Sequence, residues 1–122
     1  TDTPTGSGIM PLGIIYTISQ ISSLSNIMPE KLIAAATGNV AKAYNLNSGL
    51  IKTGCDADIL VVDAPLGGTQ KTALKALKNG DPMSIGAVIT SGIPRFVGRS
   101  KNTPPSIRKI KVEKSNIIEI FK

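Results

Sequence analysis

The chain contains no histidine, no tryptophan and one cysteine among its 122 residues. These absences remove whole classes of chemistry. A histidine metal site, a Ser-His-Asp triad, a Cys-His dyad and a cysteine-rich zinc module cannot be assembled from this chain alone. Cys55 has no internal partner for a disulfide, so nothing requires an oxidising compartment and the cytoplasm is the expected location. No apolar run reaches the roughly 18 residues of a membrane span, and the opening Thr1–Gly8 has no basic region followed by an apolar stretch. Phe96 and Phe121 are the only aromatics in the basic last quarter of the sequence, too few for the stacking platform of a single-strand binder. Neither nucleic acid nor a membrane is therefore expected as a partner.

What remains is ordinary globular composition, with 41% hydrophobic and 18% charged residues, in a length that fits one small domain. The net charge is +6, and most of the excess falls late. Arg95, Arg99, Lys101, Arg108, Lys109, Lys111, Lys114 and Lys122 face only Glu113 and Glu119, which reads as a solvated basic tail. The chain opens at Thr1-Asp2 without an initiator Met, as a piece of a longer protein would.

Thr1–Gly13 holds Pro4, Gly6, Gly8, Pro11 and Gly13, a density that makes it a loop. Ile14, Ile15, Ile18, Ile21 and Leu24 then recur at helical spacing, predicting a helix with that stripe as its apolar face. Pro29 opens a second helix in its first turn. Leu32, Ile33, Ala36, Val40 and Ala43 carry this helix on, with Gly38-Asn39 set to kink or divide it, and Leu46–Gly49 ends it. Ile59–Val62, four apolar residues of which three are β-branched, predict a buried strand covered on both faces. After a turn at Pro65–Gly68, the stretch 69–79 places Ala73, Leu74 and Leu77 on one side and Lys71, Lys75 and Lys78 on the other. That pattern is a short amphipathic helix closed by Gly80. Ile85–Thr90 and Arg95–Gly98 are two further strands around a hairpin connection, Ser91–Pro94. The helix between Ile59–Val62 and Ile85–Ile89 suits a crossover between adjacent strands. From Asn102 the chain is expected to leave the core.

Three stretches in this order carry a resemblance: Thr1-Asp2 at a loop start, Ala36-Thr37-Gly38-Asn39-Val40-Ala41-Lys42-Ala43 at the end of a helix pair, and Gly49 to Asp63 with its Asp56-Ala57-Asp58-Ile59-Leu60-Val61-Val62-Asp63. The chain resembles the C-terminal portion of the amidohydrolase superfamily. These are metal-dependent hydrolases built on a (β/α)8 barrel with a small β-sandwich contributed by both chain ends. The resemblance implies an α/β fragment holding the late barrel loop and helices, residues 1–48, then strands of the sandwich, 49–101, and the basic tail, 102–122. Within the superfamily it is closest to the enamidases. The stretches that favour them are Asp2-Thr3-Pro4 with Gly6-Ser7-Gly8 and Pro11-Leu12-Gly13, Asp63–Gly67, and Arg99–Pro105. The implied reaction is hydrolysis of a cyclic enamide, 6-oxo-1,4,5,6-tetrahydronicotinate, to 2-formylglutarate and ammonia.

The same resemblance places Asp2 at the C-terminal end of the eighth barrel strand, the face that carries barrel active sites. There it would ligate a divalent metal, zinc or iron, and act as the catalytic acid/base. Thr5, Gly6, Ser7 and Gly8 would stand beside the substrate and offer small side chains and backbone N–H groups to a carboxylate. On spacing alone, Asp2 is an ordinary loop or capping aspartate and Thr5–Gly8 a plain loop. Asp58 follows a turn and precedes a strand, so a structural role is expected for it, and Cys55 reads as an inert turn thiol. The family's metal-binding histidines are absent here. The expected partners are therefore a small cyclic amide, the remaining N-terminal part of the same enzyme, which would supply those ligands, and further copies in a homo-oligomer. This fragment alone is expected to hold no metal tightly and to be inactive. The alternatives are another cyclic amidohydrolase, such as imidazolonepropionase or dihydroorotase, and a free-standing α/β binding module using its basic tail.

Overall fold

The computed structural model describes residues 10–98 and 100–110. Three helices come first: α1 at Gly13–Leu24, α2 at Pro29–Ala36 and α3 at Gly38–Ala43. Strand β1 at Ile59–Asp63 follows, then α4 at Ala73–Lys78, β2 at Ser84–Thr90 and β3 at Ile93–Val97. The strands form one antiparallel sheet in the order β1-β2-β3, so the described residues are an α/β arrangement with helices gathered against one sheet.

The division of α2 from α3 falls where Gly38-Asn39 predicted it. Thr37 sits between them at φ −120° and ψ −89°, and its hydroxyl donates back to the Ile33 carbonyl at 2.8 Å. That bond takes a carbonyl the helix would otherwise use and bends the chain there. The loop after α3 lies directly on this corner. A Cβ added at Gly49 would stand 2.8 Å from the Ala41 Cβ and 2.9 Å from the Thr37 carbonyl oxygen, at a φ of +78°. Only glycine fits both the conformation and the space.

Helix α1 is rotated from its expected orientation. The buried residues are Ile15, Ile18, Ser19 and Ser22, while Ile14, Ile21 and Leu24 of the predicted apolar stripe stay exposed. The core consists of Ile15, Ile18, Leu77, Met83 and Ile85, with Leu32, Ile33, Ala36 and Val62 packed against it. Two serines in that face let α1 approach its neighbours closely without leaving polar atoms unmet. Ser19 Oγ donates to the Asp81 carbonyl at 3.2 Å and Ser22 Oγ to that of Ile27 at 3.0 Å, satisfying hydroxyls whose burial would otherwise cost about 1–3 kcal/mol each. Lys78, read from the pattern as a solvated lysine, reaches back across α1. Its Nζ donates to the carbonyls of Ser22 and Ser25 at 2.7 Å each and closes the C-terminal end of that helix.

In the sheet, β1 and β2 are neighbours as expected, but their connection is no crossover. Asp63 pairs with Ser84 and Ile59 with Ile89. The excursion through α4 therefore returns to the end of β1 that it left, and β2 runs back antiparallel. Nor is β1 covered on both faces, since Leu60 is 51% and Val61 42% exposed. The hairpin is tighter than the four residues expected. Thr90 pairs with Ile93, leaving Ser91 and Gly92 as a two-residue turn with φ +50° and +76°, the conformation whose twist matches paired strands.

The largest departure comes at the C-terminal side. The chain does not leave the core at Asn102: residues 103–110 run along the sheet as a strap. The Ile85 N–H donates to the Thr103 hydroxyl oxygen at 3.2 Å and the Ser84 hydroxyl to the Pro104 carbonyl at 2.7 Å. Leu66 N–H reaches the Pro105 carbonyl and Ile107 N–H that of Ala64. The Ile110 side chain covers Gly86, where a Cβ would lie 2.6 Å from its Cδ1.

Gly49→Ala is expected to lower unfolding free energy by about 2 kcal/mol or more, because strain and overpacking act together. Gly67→Ala, at φ +90° with nothing within 4 Å, should cost only about 1 kcal/mol. Urea denaturation of the two variants measures the difference.

Candidate functional site

Asp2, Thr5, Gly6, Ser7 and Gly8 all lie outside the described residues. What is described begins where their loop enters α1. Gly13 N–H donates to the Met10 carbonyl and Tyr16 N–H to that of Leu12, both at 3.0 Å. Leu12 stands at the cap position without a side-chain hydrogen bond, and the first turn holds no acidic residue. The start of this helix is therefore not set by its own sequence. A hollow of about 270 Å³ beside it is lined by Met10, Pro11, Leu12, Tyr16 and Asn102. The two stretches quoted for the enamidase resemblance, the opening loop and the segment around Asn102, thus border one hollow.

The described carboxylates serve the scaffold. Asp58 Oδ1 accepts from the Ser91 N–H at 2.9 Å while Gly92 N–H donates to the Ala57 carbonyl at 3.0 Å. Both bonds tie the hairpin tip to the start of β1, the structural role expected of Asp58. Asp63, 7% exposed, accepts from its neighbour Ala64 N–H at 2.8 Å and from Arg108 through the backbone N–H at 3.1 Å and Nε at 3.0 Å. A second guanidinium nitrogen completes a bidentate pair. Hydrogen bonding to Arg108 outweighs the opposing effect of burial and, with the Ala64 and Arg108 backbone donors, holds the Asp63 carboxyl far below the usual carboxylate range. The same pairing raises Arg108. Sequence reasoning missed this pair. Its only signal was an aspartate closing an apolar strand and an arginine in a basic run, with no spacing rule to join them.

Among the described residues no three His, Cys, Asp or Glu side chains come together, and Asp63 is already filled by Arg108. These residues do not by themselves fit a metal ion. Cys55 is a partly buried free thiol beside an apolar groove of about 740 Å³ lined by Ile33, Ala41, Leu46 and Leu50. Glu30 and Lys42 are the charged groups of that groove, and no base stands there to activate the thiol.

Comparison with known proteins identifies the wider setting. Residues 8–103 match the model of the amidohydrolase family. The chain is 41% identical over 111 residues to the enamidase of Eubacterium barkeri, covering 91% of this chain and 28% of that protein. A crystal structure of enamidase, described as a member of the amidohydrolase superfamily, superposes with a TM-score of 0.83 at 41% identity, over 89% of this chain and 28% of the other. The chain thus spans little more than a quarter of the relative's length. Enzymes of this family are generally metal-dependent hydrolases of C–N bonds. No helix among the described residues is long and apolar enough to cross a membrane.

The depressed Asp63 fixes the sign of a pH dependence. A carboxyl whose pKa is lowered by folding adds stability above its unfolded value, near 4, and loses it as pH falls toward the folded one. Stability should therefore drop progressively below about pH 5. Asp63→Asn should be less stable than the parent at neutral pH, with the gap narrowing as acid is added, as urea midpoints across pH will measure. With the family model spanning most of the chain and a solved relative sharing its fold, the chain belongs to the amidohydrolase family.

Proposed function

We propose that the chain is the C-terminal segment of an enamidase-type cyclic amidohydrolase, acting in the cytoplasm and assembling as a homo-oligomer. The observation that carries this reading is the 41% identity to enamidase across 91% of the chain, supported by the 0.83 TM-score over nearly the same extent. The substrate is a small carboxylated cyclic enamide, 6-oxo-1,4,5,6-tetrahydronicotinate. One water adds to the ring carbonyl and the C–N bond breaks, giving an open enamine. A second water converts that to 2-formylglutarate and ammonia.

In this reading Asp2 is the proton carrier. It accepts a proton from the attacking water and delivers it to the departing ring nitrogen, a role worth roughly 10²–10⁴ in rate. Thr5–Gly8 hold the substrate carboxylate through backbone N–H groups. Asp2 is also one ligand of a divalent metal, zinc or iron, which activates water and polarises the carbonyl when bound. The remaining ligands come from chain outside these 122 residues, which contain no histidine.

In the complete enzyme, Asp2→Asn should retain the fold while turnover of the cyclic enamide falls by roughly 10²–10⁴. Asp58→Ala, which frees the hairpin tip, should lower the melting temperature and leave kcat within about threefold, as expected of a substitution away from the chemistry. An Asp2→Asn enzyme with full turnover would sink the assignment of the carboxylate. A wild-type enzyme that opens dihydroorotate or imidazolonepropionate but no cyclic enamide would move the chain to another branch of the family.

A further inference from the structure

We propose that Thr103–Ile110 is a strap that fixes where α1 begins, with Asn102, Thr103 and Arg108 as positioning residues for the loop leading into that helix. The functional consequence rests on the reading above; the structural claim does not.

Helix α1 is held firmly toward its C-terminal end, where Ser19 bonds the Asp81 carbonyl and Lys78 Nζ closes on Ser22 and Ser25. Its entrance has no comparable fixture. Leu12 supplies no capping oxygen and the first turn no acidic residue, so the orphan N–H groups there leave the starting residue unspecified by the sequence. Across the hollow from Met10–Leu12 stands Asn102, exposed itself but joined to Thr103, which is 5% exposed. Thr103 is tied to the sheet through the Ile85 N–H, and the next residue through the Ser84 hydroxyl. Asn102 therefore occupies a position set by β2. The far end of the strap is clasped where Arg108 fills the carboxylate of Asp63. A chain fixed at both ends cannot drift away from the α1 entrance, and the hollow keeps a rigid wall.

The strap thus transmits the register of the sheet to the point where the opening loop becomes helix. A misplacement of about 1 Å in a group that must meet a reacting atom can cost on the order of a hundredfold in rate. A device holding the base of that loop would act on turnover more than on substrate binding.

The test is site-resolved amide exchange in the full-length protein. Thr103→Val removes the hydroxyl that accepts from Ile85, and Arg108→Gln opens the clasp. Both should speed exchange of the Gly13 and Tyr16 amides about tenfold or more, leaving amides near Ser22–Leu24 unchanged, as local opening requires. Asn102→Gly, at an exposed site, should do the same without lowering the melting temperature, and it keeps the test valid if either other variant folds poorly. Asp58→Ala, at the opposite end of β1, should leave Gly13 and Tyr16 unaffected. Unchanged exchange at Gly13 and Tyr16 in Asn102→Gly and Thr103→Val, or acceleration spread evenly along α1, would overturn the proposal. With a cyclic enamide as substrate, Asn102→Gly should lower kcat about tenfold while KM moves less than about threefold. If the wild-type enzyme opens no cyclic enamide, the functional reading fails and the exchange result still decides the strap.

Discussion

Burying Asp63 where β1 ends leaves two carboxylate oxygens in need of donors, and the chain meets that need from 45 residues away. One oxygen takes the Ala64 N–H beside it; Arg108 supplies a backbone N–H and both arms of its guanidinium. An unpaired buried carboxylate is costly enough that the fold must either protonate it or keep Arg108 in place. Keeping Arg108 in place brings Pro105, Ser106 and Ile107 alongside Ala64–Leu66, and from there Thr103 and Pro104 fall opposite Ile85 and Ser84. The C-terminal segment is thus part of the sheet's support because one charge had to be satisfied.

The helices rest on a different economy of polar atoms. α1 turns two serines inward and leaves Ile14, Ile21 and Leu24 out, reversing the face that its apolar spacing suggests. Small hydroxyls cost little volume, so α2 and α4 come close, and each hydroxyl finds a carbonyl on the neighbouring loop. Hydrophobic spacing reports that a helix has an apolar stripe; it cannot report which neighbour will cover it. The exposure of Leu60 and Val61 on β1 is the same case. A run of four apolar residues states that a strand wants cover, and the described residues supply it only on the side of Val62.

Features encoded by local chemistry were legible in the sequence. Pro29 at a helix start, the break at Gly38, the closure of α4 at Gly80 and the strand from Ile59 each follow from the conformational limits of the residues concerned. The turn at Ser91-Gly92 was placed correctly but read two residues too long, because Ile93 and Pro94 look like turn residues until pairing to Thr90 and Ile89 claims them. The strap and the antiparallel return of β2 were not legible. Both depend on contacts between residues far apart in sequence, and neither the Pro104-Pro105 pair nor the basic run after it hints that the chain stays on the sheet. The role of Asp2 came from resemblance; nothing in its spacing separates a proton carrier from a capping residue.

The described carboxylates also clarify what such a segment contributes to an enzyme. Asp58 binds a hairpin and Asp63 an arginine, and each is committed to a partner that suppresses the reactivity a carboxylate needs. An acid/base group requires a pKa near the working pH and an open approach, and Asp63 is driven in the opposite direction by the pairing that stabilises it. Chemistry and scaffold therefore draw on different aspartates in this chain. The two that are described build a rigid frame, and that frame reaches the base of the loop carrying the third through Asn102 and the entrance of α1. Precision at a reacting atom comes from how stiffly its loop is held, so the buried pair at Asp63 bears on catalysis by fixing geometry, with no part in the proton transfers themselves.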